Sequence, residues 1–179
     1  MKLKGKVAIV TAASSDRGSA IAELLASEGA SVTINYFKNR KSAESVLKRI
    51  ENRGGKAMVK QADVTVKASV NKMVKETVRK FGSIDILVNN AHGTIRRKAL
   101  EATVWNEFTE NLNGAIKGAH NCCLAVISEM QKKKWGRIIN IMDNIVNEPV
   151  KGYTCHITAQ SALVGLTRSL AVELGRFGI

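Results

Sequence analysis

Short apolar runs alternate with longer amphipathic ones along this chain, and that alternation constrains the fold more than any other feature. Lys6–Thr11 is almost continuously apolar, as expected of a strand covered on both faces. Gly18–Glu28 sets Ile21, Leu24 and Leu25 on one helical stripe and stops at Gly29, a natural C-terminal signal. Further strands are expected at Ser31–Tyr36, Ala57–Gln61, Ile84–Asn89 and Arg137–Met142. Helices are expected at Lys41–Arg53, Lys67–Phe81, Thr103–Met130 and within Thr154–Phe177, the long third one bending near Gly114 and Gly118. Strict β-α-β-α alternation predicts an α/β fold, a three-layer Rossmann-like doubly wound parallel sheet in the order 3-2-1-4-5.

At 179 residues, with no repeat or linker, the chain reads as one domain. Net charge is +13, from 28 Lys and Arg against 15 Asp and Glu. The cations fall in scattered clusters, such as Arg96-Arg97-Lys98 and Lys132-Lys133-Lys134, with no regular aromatic interleaving. Solvated helix faces explain that pattern better than a nucleic-acid surface. The apolar run Val7–Val10 is too short for a signal segment or a membrane span. Cys122, Cys123 and Cys155 give neither a disulfide framework nor a metal spacing. Reduced thiols and a cytoplasmic location are therefore expected.

The loop after the first strand, Thr11-Ala12-Ala13-Ser14-Ser15-Asp16-Arg17-Gly18, lies where a doubly wound sheet binds phosphate. That chemistry calls for glycines, which let backbone N–H groups approach a pyrophosphate at a helix N-terminus. Only Gly18 of the three is present. Together with Gly5–Thr11, Asp63-Val64-Thr65, Phe81–Ala91, Asn111–Gly114, Gly136–Ile141 and Ala162–Thr167, this loop resembles the short-chain dehydrogenase/reductase family, in particular its 3-oxoacyl-[acyl-carrier-protein] reductase branch. The resemblance runs from end to end of the chain.

The resemblance implies a dinucleotide held by Thr11, Ser14, Ser15, Gly18, Asn35, Tyr36, Asp63, Val64, Asn90 and Ala91. Asn35–Arg40 carries no acid to grip the ribose hydroxyls of NAD, so NADP is favoured over NAD. Ala12 and Asp16 replace family glycines, and His92 replaces another in the ribose turn. An alanine methyl is expected to resist the backbone angles a glycine adopts. A carboxylate at Asp16 opposes phosphate, with Arg17 beside it as a partial counter-charge. His92 is expected to face solvent.

The family places a Ser about thirteen residues before a Tyr, and a Lys four residues after that Tyr. Here those positions hold Asp143, His156 and Gln160, and of the implied catalytic set only Asn111 is kept. Gln160 lacks the charge with which Lys tunes its neighbour. Imidazole titrates near working pH, so Asp143 and His156 form a candidate acid/base pair in place of Ser and Tyr. Loss of catalysis is the competing reading, since proton transfer tolerates little misplacement. Tyr153 is a weaker candidate, with Ile157 where a Lys would stand.

Glu173–Ile179 resembles the segment before the family's sixth strand, so a C-terminally truncated domain is expected. By resemblance the function is NADP-linked reduction of a small-molecule carbonyl substrate of the 3-oxoacyl kind. The alternative is a catalytically inactive dinucleotide-binding or oligomerisation module. The resemblance also implies a homodimer or homotetramer built on the helices that begin at Thr103 and Thr154. A binder of anions or nucleic acid is a third, weaker expectation from the charge.

Overall fold

The computed structural model describes residues Met1–Ile179. Five strands, β1 (Val7–Val10), β2 (Ser31–Tyr36), β3 (Lys56–Gln61), β4 (Ile86–Asn89) and β5 (Arg137–Asn140), form one parallel sheet in the order β3-β2-β1-β4-β5. The expected topology is borne out. Strand order reverses between β1 and β4, which fixes the ligand crevice above their carboxyl ends.

The alternation of side chains along each strand feeds two cores. Ala8 and Val10 of β1 and Ile86 and Val88 of β4 face α1 (Asp16–Ser27) and α2 (Arg40–Asn52), against Ala22, Ala43, Val46 and Ile50. Ile9 and Leu87 face the other way, into α3 (Lys67–Phe81) and α5 (Gly118–Lys133), against Val70, Met73, Cys122, Val126 and Met130. Burial pushes the Cys122 thiol up to about 12 and the Cys123 thiol up to about 11, so both are packing groups rather than nucleophiles. No helix is long and apolar enough to cross a membrane.

Several expectations shift at their edges, β5 for instance ending at Asn140 rather than Met142. β4 runs from Ile86, two residues later than expected, and just before it Asp85 bonds both neighbouring strands through its backbone and takes the Val7 N–H on its carboxylate at 2.8 Å. The long helix is α4 (Trp105–Leu112), a π-helical turn at Asn113–Lys117, and then α5. One residue of slippage in the i→i−4 ladder thus replaces the simple bend expected from glycine. The last helix, α6 (Thr154–Leu174), ends in a 3₁₀ turn at Gly175–Phe177.

Candidate functional site

The carboxyl end of β1 delivers Thr11–Gly18 over the sheet. Thr11 is buried, and its hydroxyl accepts the N–H groups of Asn90 and Ala91 at 2.8 and 3.0 Å. Ser15 caps α1: its Oγ accepts the Gly18 N–H at 3.2 Å and donates to the Ala12 carbonyl at 2.9 Å. Ser14 is half-buried beside it. A Cβ on Gly18 would lie 2.5 Å from the Ala12 carbonyl and 2.7 Å from Asn90 Nδ2, so the helix start admits no side chain there. Ala12 sits at φ +48°. The turn has therefore kept the left-handed backbone that a glycine favours, and the methyl has not prevented it. The expectation that alanine would forbid those angles is corrected.

Asn35 secures this turn from β2. Its Oδ1 accepts the Ala12 N–H at 3.1 Å, and its Nδ2 donates to the Ala62 carbonyl at 3.1 Å. Tyr36 is a core residue packed with the α1–α2 layer and does not reach the cleft. Asp63 Oδ1 accepts from the Thr65 N–H and hydroxyl at 2.9 and 2.7 Å, an Asx turn that shapes the rim after β3. Val64 packs against Gly118. Asn35, Lys38, Asp63, Val64, Ala91 and His92 are among the residues lining a cleft of about 590 Å3 above β1, β2 and β3. His92 is exposed at its mouth, and its Nδ1 lies 2.8 Å from the Gly93 carbonyl.

The second half of the site lies beyond β4 and β5. His156, buried in the first turn of α6, places Nε2 2.6 Å from Asp143 Oδ2. Gln160, one turn on, accepts the Asp143 backbone N–H through Oε1 at 3.2 Å. It therefore holds the loop rather than projecting into open space. Asn111 is buried on α4 and donates Nδ2 to the Glu107 carbonyl at 2.9 Å, while its Oδ1 has no partner. Tyr153 stands half-buried at the N-cap of α6.

Arg17 joins the two halves, a role the sequence reading missed. It was expected to screen Asp16. Instead its Nε donates to Asn90 Oδ1 at 2.8 Å and its Nη1 to Asp143 Oδ1 at 3.2 Å. Asp16 is left exposed in the first turn of α1 without a side-chain ion pair. The only local signal was a long cation where the chain enters α1. Burial pushes the Asp143 carboxyl up, but the His156 bond and charge and then the Arg17 bond and charge outweigh it, so the group sits below its ordinary value. An ionised Asp143 can only accept hydrogen bonds.

Parallel strands in this order, a phosphate-type turn capped by Ser15 and a cleft lined by Asn35, Asp63 and Ala91 define a doubly wound fold of the nucleotide-binding type. The family model for short chain dehydrogenase matches residues 6–179, and the chain belongs to that family of oxidoreductases. It is 34% identical over 174 residues to a 3-oxoacyl-[acyl-carrier-protein] reductase of Staphylococcus epidermidis, covering 97% of this chain and 71% of the relative. A subunit of (2S)-[(R)-hydroxy(phenyl)methyl]succinyl-CoA dehydrogenase from Thauera aromatica is 37% identical, over 100% of this chain and 71% of its own. Among solved structures, a 7α-hydroxysteroid dehydrogenase complexed with NADH and 7-oxo glycochenodeoxycholic acid is similar at TM-score 0.94 and 29% identity, covering 99% of this chain and 69% of its own. An NAD+-bound xylitol dehydrogenase is similar at TM-score 0.95 and 29% identity, over 100% and 68%.

Proposed function

We propose that this chain is a nucleotide-binding member of the family that has exchanged the proton-moving side chains of its relatives. Its ligand is the adenine nucleotide of an NADP-type cofactor. The carrying observation is mutual satisfaction around Asp143: His156 Nε2 and Arg17 Nη1 both turn onto its carboxylate. A carbonyl oxygen placed there would meet an anion onto which the His156 ring and one arm of Arg17 are already turned. The cleft fits the nucleotide: Gly18 lets α1 start hard against the Ala12 turn, and Ala12, Asp63, Val64 and Ala91 stand on the cleft walls. Lys38 lines the same cleft with no acid in Asn35–Arg40, which favours the 2′-phosphate of NADP over the free ribose hydroxyls of NAD.

NADPH fluorescence titration tests the binding, and loss of NADPH absorbance with a panel of ketones and 3-oxoacyl thioesters tests the chemistry. Binding without turnover is the expected result. Turnover would support a second reading, which the 2.6 Å His156–Asp143 contact specifically favours. In that reading the chain reduces a 3-oxoacyl-like carbonyl, the nicotinamide supplying hydride. His156 gives the proton, Asp143 fixes its tautomer, and Asn111 and Gln160 position the surrounding loop and helix.

A second copy of this chain is the proposed partner. Val104 and Trp105, at the start of α4, are exposed, Trp105 at 71%. Trp105 stacks on Phe108 with ring centroids 5.8 Å apart, an apolar platform that a like surface would cover.

A further inference from the structure

Arg17 does not line the open cleft. A doubly wound sheet has two mononucleotide-binding halves, one on each side of its switch point. The open volume lies above β1, β2 and β3 and runs along the segment after β4 to Glu110 and Gly114, whereas Arg17, Asp143, His156 and Gln160 contribute nothing to its lining. The half above β4 and β5 is crossed by a continuous bonded chain. Asn90 Nδ2 is fixed to the Thr11 carbonyl at 3.0 Å and the Ala12 carbonyl at 3.3 Å, and its Oδ1 takes Arg17 Nε at 2.8 Å. Arg17 Nη1 reaches Asp143, and Asp143 is fixed in turn by His156 and Gln160. One end of the bridge is bonded to the Thr11–Ala12 turn and the other to two side chains of α6, so it is a built strut rather than a loose surface pair.

From this geometry we infer that Arg17 sets the length of the ligand. The chain takes a phosphorylated adenine mononucleotide at least as well as a whole dinucleotide, because the second half of a dinucleotide must evict Arg17 from Asn90 and Asp143. The inference rests on the nucleotide reading proposed above. Arg17 and Asp143 are both part-exposed, with 43% and 36% of their side-chain surfaces open. Eviction therefore lowers dinucleotide affinity without abolishing it. Neither Arg17 nor Asp143 lines the mononucleotide half, so that half is indifferent to their ion pair.

Calorimetric titration of the full chain with adenosine 2′,5′-bisphosphate and with NADPH tests the inference. The wild type should bind the bisphosphate at least as tightly as NADPH. Arg17→Ala should strengthen NADPH binding about tenfold and leave the bisphosphate within about twofold. Asp143→Asn removes the charge at the far end of the strut and should strengthen NADPH binding about threefold, a check that does not depend on the Arg17 variant folding. If the wild type binds NADPH tenfold or more tighter than the bisphosphate, or if both variants leave NADPH unchanged, the strut does not set ligand length and the nucleotide reading survives alone. If neither ligand binds the wild type, the nucleotide reading falls and takes this inference with it.

Discussion

His156 Nε2 stands 2.6 Å from Asp143 Oδ2, a contact that joins the first turn of α6 to the loop after β5. Replacing the imidazole with a phenyl ring would leave the half-buried carboxylate with Arg17 as its one side-chain partner. His156→Phe should lower stability by roughly 1–3 kcal/mol, read from urea unfolding midpoints at constant slope. Binding of adenosine 2′,5′-bisphosphate should not change, because that ligand occupies the other half. If NADPH oxidation is observed in the wild type and lost in this variant, His156 is the proton donor and the catalytic reading gains.

Asp85 supplies the expected acid sensitivity. Burial raises its pKa, but hydrogen bonds from Lys133, the Val7 N–H and Ser83, with the Lys133 charge, bring it below the ordinary aspartate value. A carboxyl whose folded pKa is depressed contributes stability above its unfolded pKa and loses it as pH falls through the folded one. The loss should therefore begin near about pH 4 and continue downward. Asp85→Asn should cost roughly 2 kcal/mol at neutral pH and flatten that acid limb, as measured by thermal melts between pH 7 and pH 3.

The phosphate turn carries two separable defects. Ala12 holds φ +48°, where an L side chain is strained. Ala12→Gly should thus raise stability by about 1 kcal/mol, read in the same urea assay. Asp16 is exposed at the N-terminus of α1, where its charge suits the helix but opposes phosphate. Asp16→Asn should strengthen bisphosphate binding about fivefold at low salt, with the gain shrinking as ionic strength rises.

Trp105 tests the proposed self-association. Light scattering should give a multiple of the 19.4 kDa chain mass. Trp105→Glu should move the protein toward that single-chain mass while leaving its unfolding cooperative. A wild-type chain that scatters as a monomer at tens of micromolar would remove the second copy as a partner.

Much of the fold was legible because its signals are local. The apolar run at Val7–Val10 and the glycine stop at Gly29 each act within a few residues, and of the expected α1 stripe Ile21 and Leu25 pack on the core while Leu24 is exposed. Strand edges were less legible, since the bonds around the start of β4 join Asp85 to Val7, 78 positions earlier. The π-turn at Asn113–Lys117 has no periodicity of its own to announce it. Within the site, Asn35 and Asp63 were singled out as ligand contacts. Their side chains are heavily used in holding the turn and rim, and only the folded arrangement assigns those bonds. Tyr36 was named for a cleft it does not line, because strand alternation points it into the α1–α2 core.

The sequence by itself determined the doubly wound sheet, the family and the set of exchanged side chains at positions 12, 16, 143, 156 and 160. These are encoded in period, spacing and residue type, and need no knowledge of distant neighbours. Tertiary structure alone decided what the exchanged side chains do to one another. Arg17 and Asp143 are 126 positions apart and meet only because β1 and β5 flank β4 in one parallel sheet. Their 3.2 Å contact, with His156 on the same carboxylate, divides the crevice into an open half and a bridged half. Hydrogen bonding and ion pairing act over a few ångströms of space rather than along the chain, and no pattern in the sequence carries that distance.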